Sequence, residues 1–107
     1  MTKETDFIAD LRYYTAEQGG RSTPAFSGYR PHIKFPFSDM MTSGRQIFSG
    51  TKQVLPGERV VAEIAIISTA FFSGKLEIGL EFVFGEGPHV IGIGRIIEII
   101  NQDLLKK

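Results

Sequence analysis

Two histidines, twelve acidic residues and no cysteine bound the chemistry open to this chain of 107 residues. His89 follows Glu86 by three positions in a glycine-rich turn, and His32 has no acid–nucleophile pattern beside it. A Ser–His–acid relay needs three such groups in register, and a metal needs three or four ligands. The sequence offers neither pattern. Glu77 and Glu81 fall on one face of a strand, the arrangement of a solvated polar face. Between Gly44 and Gly50 lie five residues, and Thr51 precedes Lys52. A phosphate loop needs a different spacing, the reverse order, and a following helix to supply N–H groups. This segment therefore reads as a hairpin. Gly85-x-Gly87 and Gly92-x-Gly94 are not dinucleotide fingerprints, because glycine inside a strand marks a bulge or a barrel corner. The absence of cysteine removes thiol nucleophiles, disulfides and cysteine-based zinc sites together. The expectation is a protein that is not an enzyme and uses no cofactor or metal.

Binding chemistry remains. Ala16 to Gly28 is a run of thirteen residues rich in Gly, Ser and Thr, long for a loop in a compact domain and of a kind that often carries function. Gly19 and Gly20 allow positive φ and close backbone approach, and Arg21 follows them. Twelve basic and twelve acidic residues cancel, so the chain lacks the field of a strongly basic DNA or RNA binder, and no DNA partner is expected. The stretch 21–59 nevertheless holds six basic residues, Arg21, Arg30, Lys34, Arg45, Lys52 and Arg59, against Asp39 and Glu58. Phe71-Phe72 and Met40-Met41 offer apolar contact of the other kind.

Hydrophobic residues make up 42% of the chain and include nine Phe, which excludes a disordered polymer and supplies a core for one domain. A period of two dominates. Phe7, Ala9, Leu11 and Tyr13 alternate with Asp10 and Arg12, which predicts a strand over Phe7 to Thr15. Ile33, Phe35 and Phe37 alternate around Lys34 and Pro36, and the proline predicts an edge or a bulge. Further strands are predicted over Arg59 to Ser68, Lys75 to Phe84 and His89 to Ile100, with turn signals at Gly50, Pro56-Gly57 and Gly74. The tail from Gln102 to Lys107 is expected to form a short turn or fray. Short strands at close spacing argue a small antiparallel barrel or sandwich, one all-β domain. The polar start, Met1 to Asp6, carries no apolar signal core, and no apolar run is long enough to cross a bilayer. A cytoplasmic protein with no membrane partner is expected.

The run Gly19-Gly20-Arg21-Ser22-Thr23-Pro24-Ala25-Phe26-Ser27-Gly28-Tyr29-Arg30-Pro31 resembles the signature GGR-x-TP-x-F-x-GYRP of the third domain of translation elongation factor Tu. Val54-Leu55-Pro56-Gly57-Glu58 is similar to the V-x-PGD/E turn of that domain. Glu86-Gly87 with Ile91-Gly92-Ile93-Gly94 resembles its EGG-x-T-VG-x-G ending. The three motifs occur in family order, and the resemblance spans residues 7–100, leaving a tail over 101–107. It implies a six-stranded antiparallel β-barrel that binds the T-stem of tRNA, packs on a GTPase domain and contacts the exchange factor Ts. The family's RNA-contacting positions map to Arg21, His32, Glu86 and Gly87. On that mapping Arg21 pairs with phosphate and His32 donates to phosphate or ribose. Duplex RNA is read by shape through phosphates and 2′-hydroxyls, so a few polar groups suffice. Tyr29 and Arg30 are assigned to holding the barrel entrance or an interface, together with Gly19, Gly20, Phe71 and Phe72.

The departures point elsewhere. Met41 stands where the family has an RNA-touching Thr, His32 replaces a Gln, and Pro88 replaces the second Gly of EGG, removing a backbone donor. These 107 residues hold no GTPase domain and no second barrel, so GTP-switched delivery of tRNA is not expected of the chain alone. The first expectation is a protein-interaction module linked to translation or its regulation, with a GTPase domain or exchange factor as partner. The alternative is a module for the T-stem of tRNA or a similar RNA stem.

Overall fold

The computed structural model describes residues 4–107. The polar start of the chain begins with residues 1–3, which lie outside the described residues. Eight strands form in chain order: β1 Phe7–Tyr13, β2 Ala25–Phe26, β3 His32–Lys34, β4 Met41–Phe48, β5 Gln53–Val54, β6 Arg59–Ile66, β7 Glu81–Glu86 and β8 His89–Ile99. Six of them close into an antiparallel barrel in the order β1-β6-β4-β3-β7-β8, while β2 and β5 pair as a separate ribbon. The expected six-stranded barrel is the architecture observed. Closure leaves no free sheet edge in the barrel, so Pro36 sits in the turn after β3 instead of on an edge strand. No helix among the described residues is long and apolar enough to cross a membrane.

Alternation turns one face of each strand inward. Phe7, Ala9, Leu11 and Tyr13 of β1 are all buried, as are Val60, Ala62, Ile64 and Ile66 of β6. Phenylalanine fills the interior, and its rings meet edge to face. Phe35 lies 5.0 Å from Phe72 and 5.8 Å from Phe82, and Tyr13 lies 4.9 Å from Phe84. Bulk on β7 requires its absence on β8. A Cβ at Gly92 would lie 2.2 Å from Phe84 Cζ, and one at Gly94 would lie 2.3 Å from Phe82 Cζ. These two glycines therefore make room for rings, and the β7–β8 register shift falls at Phe84/Gly85 instead. Buried polar contacts include the Tyr13 hydroxyl, which donates to Gln46 Oε1, and the Ile66 amide, which donates to the Asp6 carboxylate.

Several predicted bounds move. The segment from Lys75 to Phe84 is a strand only from Glu81. Gly79 takes φ +91° and Leu80 N–H returns to Glu77 O, which ends the alternation there. Leu76 is buried, but against the carboxy-terminal tail, where it bridges Leu105. That tail forms a 3-10 turn over Gln102–Leu104 and buries Leu104. The long segment after β1 is not all loop, because Ala25 and Phe26 pair with Val54 and Gln53. Residues 44–52 do form the expected hairpin end, with β4 running to Phe48 and Gly50 at φ +76°.

Candidate functional site

Antiparallel pairing sorts the connections onto two ends of the barrel. One end carries the start of β3, the end of β1 and the β7–β8 turn, since His32 pairs with Gly85, Tyr13 with Gly92, and Glu86 with His89. The long segment 14–28 covers this end. Its first turn is closed by Thr15 and Gln18, which bond each other's amides through their side chains, and by Gly20 N–H to Thr15 O. Gly20 is required here by contact, because a Cβ would lie 2.3 Å from the Tyr14 carbonyl oxygen. Gly19 holds φ +93°, the left-handed conformation that glycine adopts without strain.

That turn delivers Arg21 to Glu86 across 65 positions of sequence. The guanidinium Nη1 donates to Glu86 Oε1 at 2.6 Å. Nε donates to Thr23 O at 3.3 Å, and Nη2 donates to Thr23 Oγ1 and Pro24 O, both at 3.2 Å. The guanidinium carbon stands 4.8 Å from the Tyr29 ring centroid, a cation–π stack. The Tyr29 hydroxyl is buried close to Glu86 and makes no hydrogen bond among the described residues. Its closeness, together with the Arg21 contact, still holds the Glu86 carboxyl below its ordinary pKa. Burial, and then Glu86, push the Tyr29 phenol up. Burial opposes the Arg21 charge, yet Glu86 and Tyr29 outweigh it and its pKa rises. His32 adds a second tie, with Nε2 2.8 Å from the Gly87 carbonyl oxygen.

The four RNA-facing candidates, Arg21, His32, Glu86 and Gly87, thus converge on one rim, beside a groove of about 590 Å³ lined by residues 19–23, Glu86, His89 and Ile91. They meet as partners of one another. Three of the nitrogens on Arg21 already donate within the chain, and the His32 nitrogen nearest the turn is bonded to it. Motif position identified each residue separately, but the Arg21–Glu86 pair has no local signal because its members are far apart in the chain.

The opposite end is apolar. It carries the β3–β4 turn, the β6–β7 connection and the tail. The 3-10 turn Thr69–Phe72 splits the expected Phe71-Phe72 pair. Phe72 is fully buried and belongs to the core, so it is withdrawn as a contact residue. Phe71 is exposed and lies edge-on to Phe72 at 5.0 Å, with the Lys75 ammonium 4.5 Å from its ring. Phe37 stacks on Phe35 at 5.7 Å and is also exposed, as are Met40 and Met41. Arg30 belongs to neither cluster. It is exposed on the outer wall of the barrel, near Arg45 of β4. No known family model matches the chain.

Proposed function

We propose that the chain is a non-catalytic binding module of the elongation factor Tu third-domain type, which engages a protein partner in translation or its regulation. The carrying observation is the contrast in commitment between the ends. The groups that would face phosphate are hydrogen-bonded to one another, whereas Phe37, Met40, Met41 and Phe71 stand exposed over a rigid aromatic core. Large apolar side chains on a preorganised base are what protein interfaces desolvate, and aromatic and Met residues are enriched there. A GTPase domain or an exchange factor of the elongation factor Tu system is the partner class the sequence resemblance favours. A tRNA T-stem is the second reading. Its support is the convergence of Arg21, His32, Glu86 and Gly87 on one grooved rim.

One titration series separates the two. The protein is titrated with the elongation factor Tu GTPase domain, with Ts, and with tRNA with and without its T-arm, each at two salt concentrations. The protein reading expects binding to a protein partner that weakens in Phe71→Ser and holds in Arg21→Ala. Tight tRNA binding that needs the T-arm, falls steeply with salt and fails in Arg21→Ala would replace it with the RNA reading.

A further inference from the structure

At the apolar end a cleft opens in the outer surface between β3 and β7. β7 begins at Glu81, yet it pairs with β3 only from Val83, which lies opposite Lys34. Beyond Lys34 the chain reaches Pro36, which has no N–H to extend the ladder. The other bank is a tight turn from Glu77 to Leu80, closed by Leu80 N–H to Glu77 O around Gly79 at φ +91°. Gly79 N–H donates to Ile96 O and Ile96 N–H donates to Leu80 O, so β8 holds this bank in place. The cleft between the banks measures about 590 Å³. Val83 and Ile93, a cross-strand pair, line it, and so does Ile78 on the turn, which is 65% exposed. Pro36 also lines it and precedes the exposed Phe37, which joins the cleft to the apolar cluster of this end. Glu77 and Glu81 complete the lining, one on the turn and one on the strand. Neither makes an ion pair among the described residues. The nearby cations do not bind them. Lys34 reaches Asp39 at 3.9 Å, and Lys75 lies 4.5 Å from the Phe71 ring. Arg95 faces Glu81 in the β7–β8 register and forms no ion pair with it.

Building on the protein-interaction reading, we propose that this cleft receives a partner segment in which a basic residue adjoins an apolar one. The apolar side chain covers Ile78, Val83 and Ile93, and the cation meets Glu77 and Glu81. The volume falls within the range of about 300–1,000 Å³ that binding clefts occupy. Two carboxylates without a bound cation set the charge preference of the site. They attract an ammonium or guanidinium and repel a phosphate backbone. Because backbone hydrogen bonds to β8 already fix the turn, binding has little chain to order.

The test follows backbone amide shifts by NMR as the protein is titrated with a short peptide alternating Lys and Leu. Its controls are the same peptide with Gln for Lys, the same peptide with Glu for Lys, a short RNA duplex, and dilution of the protein alone. The expected result is that the Lys/Leu peptide shifts Glu77, Ile78, Glu81 and Val83, and that added salt weakens it. Glu77→Gln and Glu81→Gln should each weaken it by about two- to fivefold, and Ile78→Ser by about fivefold. All three positions are exposed, so each variant should keep Tm within about 3 °C of wild type. Equal binding of the Gln/Leu peptide, or shifts confined to other residues, overturns the proposal. So does RNA or the Glu/Leu peptide filling the cleft, and so does a larger fall in Tm in both Gln variants, which would make the carboxylates structural. Shifts at the cleft that vanish on dilution of the protein alone would make the occupant a second copy of this chain and overturn it as well. A GTPase domain or Ts that binds wild-type, Glu77→Gln and Ile78→Ser chains alike sinks the cleft and leaves the interaction reading standing. Lys/Leu peptide capture in the cleft without any GTPase-domain or Ts binding supports the cleft and removes those two partners.

Discussion

At one end of the barrel the Arg21 guanidinium is ringed by Glu86, Thr23, Pro24 and the face of Tyr29; at the other, Phe72 is ringed by Phe35, Phe37 and Phe71. Both clusters join segments distant in sequence, and both hold a long connection against the barrel. They differ in what they leave over. Hydrogen bonds are directional and saturable, so a guanidinium that donates to three residues has little capacity left for a ligand. Apolar contact is neither, so Phe37 and Phe71 pack on the core with one face and remain available with the other. The polar end is therefore a closed clasp and the apolar end an open platform. That difference, more than charge, separates the two functional readings.

The comparison is tested most strongly by neighbours in sequence. Phe72→Ala removes a fully buried ring from the aromatic cluster and should cost about 3–5 kcal/mol. Phe71→Ala removes a half-exposed ring and its Lys75 contact, and should cost about 1 kcal/mol or less. Urea unfolding of both variants measures this. Similar losses would mean that Phe71 is core as well, and the platform would lose its central residue.

A smaller effect is expected where the barrel wall trades bulk between strands. Gly92→Ala brings a Cβ into the Phe84 ring and should destabilise by about 1–3 kcal/mol. The Cβ would also lie 2.7 Å from the Arg12 carbonyl oxygen; if the ring is the larger obstacle, Phe84→Leu in the same chain should relieve part of the loss, so that the double variant is more stable than the two single losses predict. Simple additivity in the same unfolding experiment would place the need for glycine in the backbone instead. This wall is the common floor of both ends, since Phe84 touches Tyr13 beneath the clasp while its strand neighbour Phe82 touches Phe35 beneath the platform.

These residues also mark how far the sequence could be read. β1 was legible from the period of two, because there the barrel wall buries alternate side chains, whereas β6 and β8 were legible from their β-rich, Ile- and Val-rich composition. The segment Lys75 to Leu80 carries the same alternation and is not a strand. There Leu76 is drawn to the tail and Gly79 turns the chain, both decided by contacts with distant residues. Phe71 and Phe72 read identically in sequence, and only the 3-10 turn assigns one inward and one outward. The candidates Arg21, His32, Glu86 and Gly87 were found through motif position. That Arg21 and Glu86 satisfy each other depends on the loop's path across the barrel end, which no local pattern encodes. Arg45 was visible only as one of six basic residues in the stretch 21–59, because its placement opposite Arg30 follows from a strand register that composition does not fix.

The smallest effect probes the clasp itself. Glu86 is held below the ordinary glutamate value of about 4.3 by Tyr29 and Arg21. A carboxyl with a depressed folded pKa stabilises the fold fully above its unfolded pKa, and that contribution is lost as pH falls through the folded value. Glu86→Gln should therefore cost stability at pH 7, but only about 0.5–1 kcal/mol, because the pair is half open to solvent and screened. The gap between variant and wild type should narrow from about pH 5 downward and close once wild-type Glu86 is itself protonated. Arg21→Lys keeps the charge and loses the fork to Thr23 and Pro24, so it should retain the pH dependence while loosening the segment 14–28, seen as faster amide exchange at Gly20. A Glu86→Gln loss that stays constant from pH 7 to pH 3 would mean that the carboxylate charge does not close the loop. Packing of the guanidinium on Tyr29 would then hold this end, leaving Glu86 and its turn free to meet a ligand.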